Sequence, residues 1–178
     1  LLETVGSVQR QTLADWELLA VDDGSDDDSV AVLGALAAHD PRIRLLTTGG
    51  NLGAGGARNL AMTKARGRWL AFLDADDLWH PEKLERQLSA MQQAQSPFSC
   101  TSFLRHDLET GRQTRVGVPA KAGRNDLLKT NTVACSTAII DSAYFGKRQM
   151  QTLRRRQDFL FWLELLADTP EVLGLPEV

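Results

Sequence analysis

"WELLAVDDGSDDDSVAVLGALAAHD", residues 16–40, decides the fold class. It starts with a short apolar run, turns at a group of acidic residues, and continues as a segment of helical composition that ends before Pro41. A short, nearly continuous apolar run is typical of a strand buried on both faces of a parallel sheet. A strand followed at once by a helix is the repeating unit of layered α/β proteins. We therefore expect an α/β fold.

The alternation of strand and helix continues along the chain. Further strands are predicted in RIRLLTT (42–48), RWLAFLD (68–74) and ACSTAIID (134–141), and further helices in GNLGAGGARNLAMTKARG (50–67), from Pro81 onward, in NDLLKT (125–130) and in DFLFWLELLAD (158–168). A turn-rich segment around DLETG (107–111) predicts a β-hairpin. We expect a second half that adds antiparallel strands to a parallel sheet, with ligands bound at the carboxyl ends of the strands.

Composition excludes several classes of protein. The chain has 178 residues, 43% of them hydrophobic and 24% charged, which predicts one globular domain. A formal net charge of −3 argues against a general nucleic-acid or membrane-surface binder. Cys100 and Cys135 lack metal-ligand spacing and are predicted to be reduced core thiols, although one disulfide stays open. The segment LLETVGSVQRQTL (1–13) resembles a helix already under way, so we expect the sequence to be an excised fragment.

Three acidic residues follow the third predicted strand in AFLDADDLWHPEKL (71–84): Asp74, Asp76 and Asp77. One of them suits a cap for the helix predicted from Pro81. Three carboxylates within four residues repel one another unless a cation or hydrogen-bond donors compensate. Oxygen ligands of this kind suit hard divalent ions such as Mg²⁺ or Mn²⁺. The stretch therefore predicts metal-assisted ligand binding.

Two earlier motifs each allow two interpretations. Asp22 and Asp23 suit a tight turn, and the alternative is a site at which one carboxylate accepts hydrogen bonds from a nucleobase N–H or from ribose hydroxyls. The segment GGNLGAGGARN (49–59) matches neither the phosphate-binding loop of P-loop proteins nor that of dinucleotide-binding folds. Its glycines suit close packing of a helix on a strand, and its Arg58 suits a contact with a nucleotide.

Two further features stand near the C-terminus of the chain. Asp158 precedes an apolar helix, so it is either an N-cap or a general base at the mouth of an apolar site. The run Arg154 to Arg156 is either solvated or in contact with a diphosphate or an anionic acceptor. The histidines show no metal-ligand spacing, and no nucleophilic triad is indicated.

Five segments, in this order, resemble the family 2 glycosyltransferases of the GT-A fold: SVQRQTLADWELLAVDDGSDD (7–27), NLGAGGARNLAM (51–62), GRWLAFLDADDLWHPEKLERQL (67–88), ACSTAIID (134–141) and RRRQDFLFWLELL (154–166). The resemblance implies a GT-A, Rossmann-like α/β/α sandwich with a mostly parallel mixed sheet. The family's usual first strand, which ends in a P-x-[YF]-N type motif and lies centrally in the sheet, is missing from this fragment. The implied organisation is a single catalytic domain over residues 1–178, with a nucleotide-binding half of about 1–95 and an acceptor-binding half of about 96–178.

The resemblance also implies an activity: inverting transfer of a sugar from a nucleotide-diphosphate donor, most simply a UDP-sugar, to a hydroxyl of a saccharide or lipid-linked acceptor. A bacterial cell-surface polysaccharide or lipopolysaccharide pathway is expected, with a cytoplasmic location at the inner face of the membrane and no nucleic-acid partner. Two alternatives stay open. One is a nucleotidyltransferase with a similar core, and the other is a non-catalytic module that binds a nucleotide-sugar or a metal.

Residue roles carried over from the family follow the matching motif positions. Asp158 is implied as the catalytic base, with Gln157 in place of the usual glutamate. Asp77 and Asp76 are implied as ligands of Mg²⁺ or Mn²⁺. The nucleotide-sugar is implied to contact Asp23, Asp22, Arg58, Asp74 and Asp76.

Overall fold

The computed structural model describes residues 1–146 and 148–176. The first part of the chain forms α1 (Leu2–Gln9), β1 (Leu18–Asp22), α2 (Ser29–His39), β2 (Ile43–Thr47), α3 (Gly53–Lys64), β3 (Trp69–Ala71) and α4 (Lys83–Ala94). The second part forms β4 (Phe98–Thr101), β5 (Phe103–His106), β6 (Gln113–Val116), β7 (Lys121–Ala122), α5 (Arg124–Lys129), a 3₁₀ turn (Cys135–Thr137), β8 (Ile139–Asp141), α6 (Ser142–Phe145), α7 (Gln157–Leu165) and β9 (Val172–Leu175).

The strands form a mixed α/β arrangement, as predicted. β1 and β2 pair in parallel, with Leu18 opposite Ile43. A second sheet has the order β3-β8-β4-β9-β7, in which β4 and β9 are parallel and the other neighbours are antiparallel. β3, β4 and β9 therefore run in one direction, and β8 and β7 run against them. The predicted hairpin is confirmed, because β5 and β6 pair around the turn at residues 107–111.

In the described part of the chain, the expected single sheet is divided into three, because the β1–β2 pair and the β5–β6 hairpin are each separate from the five-stranded sheet. Within the described residues, β1 pairs only with β2, and β3 pairs only with β8. Both strands instead line a mostly apolar cavity of about 920 Å³ together with residues of α1, α3 and α4.

Several predicted boundaries are wrong. The strand predicted over residues 68–74 is limited to Trp69–Ala71. The helix predicted from Pro81 begins at Lys83, and none of the three nearby aspartates caps it. The strand predicted over residues 134–141 is limited to Ile139–Asp141. Cys135–Thr137 forms a 3₁₀ turn instead, closed by a hydrogen bond from the Thr137 N–H to the Ala134 carbonyl.

The main core lies between the five-stranded sheet and α7. Trp162 is fully buried, and its ring contacts Phe72 and Phe98 at centroid distances of 5.4 Å and 5.3 Å. Aromatic pairs of this kind add about 0.5–1.5 kcal/mol each beyond the burial of their surface. Cys100 and Cys135 are free and buried, as predicted. This packing fixes α7 on the sheet and so places the first turn of α7, which contains Asp158.

No helix within the described part of the chain is long and apolar enough to cross a membrane.

Candidate active site

The acidic stretch after β3 is held by Ser136 of the 3₁₀ turn. The Ser136 hydroxyl donates to Asp77, with 2.5 Å between Oγ and Oδ2, and accepts from the backbone N–H of Asp74 at 3.0 Å. The indole N–H of Trp79 donates to the Ser136 carbonyl at 2.8 Å. Within the stretch, the Asp77 N–H donates to the Asp74 carbonyl at 3.1 Å. One serine thus fixes the turn that contains all three aspartates.

Helix α1 supports the same stretch from a second direction. The Thr4 hydroxyl donates to the Ala75 carbonyl at 2.8 Å, and the Ser7 hydroxyl accepts from the Trp79 N–H at 3.2 Å. Two exposed carboxylates are left facing solvent. Asp76 receives no hydrogen bond from any described residue, and Asp77 uses only one of its oxygens, for Ser136.

These two carboxylates fit a divalent cation only in combination with a substrate. In residues 1–146 and 148–176, no group of three or more His, Cys, Asp or Glu side chains is arranged to hold a metal ion. Mg²⁺ in proteins is commonly bound by one or two carboxylates together with substrate phosphates and water. The oxygen atoms of Asp76 and Asp77 are ligands of this type, so the residues present are compatible with Mg²⁺ or Mn²⁺ bound alongside a diphosphate.

Arg58 of α3 connects the acidic stretch to α7. Its guanidinium, in a side chain that is 19% exposed, forms an ion pair with Asp74. Burial lowers the pKa of Arg58, but the neighbouring Cys135, Asp74 and Asp158 raise it to a net value above that of an ordinary arginine. Burial raises the pKa of the Cys135 thiol to about 12, so this thiol is neutral near pH 7. Asp74 and Asp158 are therefore the negative charges that Arg58 experiences.

Asp158 lies in the first turn of α7 and does not cap the helix. The N-cap position belongs to Arg156, whose φ of 62° places it in the left-handed region. The Asp158 side chain is half-buried and accepts no hydrogen bond from the described residues. A carboxylate in the first turn of a helix is stabilised by the positive end of the helix dipole. Asp158 therefore has free acceptor oxygens close to Arg58.

Asp22 and Asp23 lie at the other end of α3, and their carboxylates already have protein partners. Asp22 accepts hydrogen bonds from the backbone N–H groups of Gly24 and Ser25, both at 3.2 Å. These bonds agree with the interpretation that Asp22 stabilises a tight turn. Asp23 accepts from Thr48 Oγ1 at 2.7 Å and from the first amides of the glycine-rich segment, Leu52 at 2.8 Å and Gly53 at 2.6 Å.

The hydrogen bonds to Asp23 also lower the pKa of its carboxyl group. Burial raises the pKa of Asp23, but the bonds from Thr48, Leu52 and Gly53 outweigh it, so the pKa lies below its ordinary value. A carboxylate offers about four acceptor positions, and three are used here. One position is left for a ligand.

Helix α3 also holds the segment that leads into α7. The Asn59 amide donates to the Met150 carbonyl at 2.8 Å and accepts from the Met150 N–H at 2.7 Å. A Cβ atom at Gly55 would lie 3.0 Å from the Gln151 carbonyl oxygen, so a larger residue would require the backbone at Gln151 to shift by a few tenths of an ångström. At Gly55 the close contact is therefore with the loop before α7 and with Gln157 of α7, and not with a strand as the packing interpretation expects.

The family follows from a sequence comparison. The profile described as "Glycosyl transferase family 2" matches residues 1–151, which is most of the chain. The chain belongs to glycosyl transferase family 2. The prediction of an enzyme of the glycosyltransferase class is confirmed at this level.

Relatives of this family 2 domain are bacterial proteins. It is 37% identical to a Bacillus subtilis protein named as a teichuronic acid biosynthesis glycosyltransferase, TuaG, over 98% of this chain and 70% of that protein. It is 35% identical to the Escherichia coli UDP-Glc:alpha-D-GlcNAc-diphosphoundecaprenol beta-1,3-glucosyltransferase WfgD, over 93% of this chain and 64% of that protein.

Solved structures confirm the predicted GT-A fold. The S. aureus TarS 1–349 structure in complex with UDP superposes with a TM-score of 0.81, covering 99% of this chain and 54% of that one, at 20% sequence identity. The complex of the same protein with UDP-GlcNAc has a TM-score of 0.80. The family 2 domain therefore spans about half the length of the TarS 1–349 chain.

Two residues of the candidate site have no role that the sequence predicts. Ser136 and Asn59 occur in segments for which the sequence predicts a strand and a helix, without a side-chain role. Ser136 and Asp77 are 59 residues apart in the chain, and Asn59 and Met150 are 91 residues apart. Nothing in residue type or spacing indicates such distant pairs.

Proposed function

We propose that this family 2 domain transfers a sugar, with inversion, from a nucleotide-diphosphate donor to an acceptor hydroxyl, with the help of Mg²⁺ or Mn²⁺. The observation that carries the proposal is the position of Arg58. Its half-buried guanidinium pairs with Asp74 in the stretch after β3 and lies within electrostatic range of Asp158 at the start of α7. The acidic stretch and the free carboxylate of Asp158 thus face one small region, as a transfer between two substrates requires.

The donor half of the proposed site is built from the acidic stretch and the start of α3. Asp76 and Asp77 would hold the divalent cation, with Ser136 fixing Asp77. When bound, the cation offsets the negative charge that grows on the departing diphosphate. Asp23, with one acceptor position left, suits a nucleobase N–H or a ribose hydroxyl, and Asp22 shapes the turn beside it.

Arg58 has two roles in the proposal. Its pairing with Asp74 fixes the beginning of the acidic stretch, which gives Asp74 a role in positioning. A guanidinium carries five N–H donors, so the ion pair leaves others for a phosphate oxygen of the donor.

Asp158 serves as the general base. Its free oxygens would accept the proton of the acceptor hydroxyl while that oxygen attacks the anomeric carbon of the sugar. The leaving group departs on the opposite side, so one displacement inverts the configuration and no covalent enzyme intermediate is needed. Base catalysis of this kind contributes about 10²–10⁴-fold to a rate.

A UDP-sugar is the proposed donor, supported by the UDP and UDP-GlcNAc complexes of the structurally similar TarS. A lipid-linked saccharide is the proposed acceptor, supported by the diphosphoundecaprenol acceptor in the name of WfgD. Cell-surface polysaccharide synthesis at the cytoplasmic face of the membrane is the proposed setting. The name of TuaG, which refers to teichuronic acid biosynthesis, supports it.

The test uses the whole protein with a panel of nucleotide-sugars and acceptors. We expect one donor to raise the Tm only in the presence of Mn²⁺ or Mg²⁺. We expect Asp158→Asn to keep that rise in Tm but to reduce turnover, measured by mass spectrometry, by about 10²-fold or more.

Other results would contradict the proposal. Donor binding without turnover on any acceptor would indicate a non-catalytic module. Release of diphosphate from a nucleoside triphosphate and a sugar phosphate would indicate a nucleotidyltransferase.

A further inference from the structure

Three consecutive arginines precede Asp158, and their side chains form no ion pair with any residue in the described part of the chain. Arg154, Arg155 and Arg156 are all exposed, and within residues 1–146 and 148–176 no carboxylate lies within ion-pairing distance of them. Carboxylates do pair with other arginines of the protein, among them Arg42, Arg44, Arg66, Arg68 and Arg148. These three adjacent arginines therefore concentrate positive charge at one place in a chain with a net charge of −3.

The backbone holds these arginines close to the proposed base. Upstream, the paired hydrogen bonds of Asn59 fix the segment at Met150. Downstream, Arg156 is the N-cap of α7 in a left-handed conformation, two residues before Asp158. Consecutive Cα atoms are about 3.8 Å apart, so the Arg156 and Asp158 Cα atoms are at most about 8 Å apart. An arginine side chain spans a comparable distance.

Their position assigns the arginines to the acceptor and not to the donor. In an inverting displacement the attacking hydroxyl and the leaving diphosphate lie on opposite sides of the anomeric carbon. Asp158 accepts the proton of the attacking hydroxyl, and Asp76 and Asp77 lie with the leaving diphosphate. Residues directly next to Asp158 in the chain therefore border the acceptor.

We propose that Arg154, Arg155 and Arg156 bind the phosphate groups of an acceptor sugar that is carried on a diphosphate. The proposal rests on the proposed function. Guanidinium groups form planar, bidentate hydrogen bonds with phosphate oxygens. In such an acceptor, one sugar ring separates the attacking hydroxyl from the phosphate. This separation is comparable to the short distance along the chain between Asp158 and the arginines. Leu153, 45% exposed in the same segment, offers an apolar contact to the carrier chain beyond the phosphates.

The experiment compares two acceptors that carry the same sugar, one linked through diphosphate to a short alkyl chain and the other a neutral alkyl glycoside. The variant is Arg154→Gln/Arg155→Gln/Arg156→Asn in the whole protein, with asparagine at 156 because it tolerates the left-handed conformation. We expect the KM for the diphosphate acceptor to rise about tenfold or more, because the charge-assisted hydrogen bonds between guanidinium groups and phosphate oxygens are lost. The KM of the donor and the KM of the neutral acceptor should stay unchanged.

The matched control is Arg105→Gln/Arg112→Gln, which removes two exposed arginines of the β5–β6 hairpin and should leave every KM unchanged. An equal loss with both acceptors, a rise in the KM of the donor, or no change at all would overturn the proposal. Loss of binding to phosphatidylglycerol vesicles with an unchanged acceptor KM would also overturn it, by assigning the arginines to a membrane surface. Absence of turnover from every donor in the unmodified protein would refute the proposed function, and this inference with it.

Discussion

One hydroxyl group, that of Ser136, joins the side chain of one aspartate to the backbone of another. Without it, the Asp77 carboxylate loses its hydrogen bond from the protein, and the turn at Asp74 loses an acceptor. We therefore expect Ser136→Ala to raise the Mn²⁺ concentration needed for half-maximal donor-induced stabilisation about tenfold, since hydrogen bonds to charged groups are worth about 1.5–3 kcal/mol. A Mn²⁺ titration of the Tm at saturating UDP measures this.

Two further variants serve as controls for the Mn²⁺ titration of Ser136→Ala. Ser136→Thr keeps the hydroxyl and should restore most of the Mn²⁺ affinity, which a loss of packing alone would not explain. Asp77→Ala should abolish the dependence of UDP binding on the metal. If Ser136→Ala titrates like the unmodified protein, Ser136 does not position the metal ligand.

At the scale of elements, α3 organises the site because its N-terminus and its middle each bind another segment of the chain. Its first amides donate to Asp23, and Asn59 near its middle binds Met150 through two hydrogen bonds. Asn59→Ala should loosen the segment that precedes α7. We expect hydrogen exchange at the Met150 amide to accelerate and the free energy of unfolding to fall by about 1–3 kcal/mol.

Thr63→Ala is the control for Asn59→Ala, because Thr63 lies on the same helix and its exposed hydroxyl contacts only the Asn59 carbonyl. It should leave exchange at Met150 unchanged. If Asn59→Ala alters neither exchange nor stability, the two hydrogen bonds do not hold the segment.

Periodicity predicted the type of most elements correctly but not their limits. The apolar run at Trp16 to Val21 became β1 from Leu18, and the glycine-rich segment became α3. The helix expected from Pro81 starts at Lys83, and the strand expected from residue 134 starts at Ile139. The local pattern of apolar residues indicates which face of an element is buried, whereas the ends of the element depend on hydrogen bonds to distant segments.

The candidate site is predictable from the sequence only where its residues stand out locally. Charge at the end of a strand or helix is such a local signal, and it indicates Asp74, Asp76, Asp77, Arg58 and Asp158. No local signal indicates Ser136, because its role depends on a hydrogen bond to Asp77, 59 residues away.

At the scale of the whole molecule, the order of strands lies beyond local pattern. The alternation of strand and helix predicted an α/β fold, but nothing in it indicates that β8 lies between β3 and β4, or that β1 and β3 border a cavity. The cavity separates the two sheets while α1 and α3 bridge them through hydrogen bonds to the acidic stretch. Because α1 and α3 both hold the acidic stretch, the geometry of the site depends on the stability of the whole fold.

Lys83 is the charged group whose burial bears most directly on that stability. Lys83 is the first residue of α4, and its side chain is buried. Its Nζ atom has no hydrogen-bond partner among the described residues. The ammonium lies 4.1 Å from the centroid of the Trp79 ring. Burial lowers the pKa of Lys83 to about 7 from an ordinary 10.5, with Cys100 acting weakly in the opposite direction.

Stability should therefore rise with pH through the range in which folded and unfolded Lys83 differ in charge. Between pH 7 and 10.5 the unfolded chain binds a proton that the folded protein does not, so the free energy of unfolding increases with pH and is lowest below pH 7. Lys83→Met removes this titration, so its Tm should exceed that of the unmodified protein at pH 6, by about 2–4 °C for each kcal/mol, and the difference should shrink towards pH 10. Thermal unfolding at pH 6, 7, 8, 9 and 10 measures it, with the exposed Lys129→Met as control. A Tm difference that does not change with pH would mean that Lys83 keeps its proton in the folded protein.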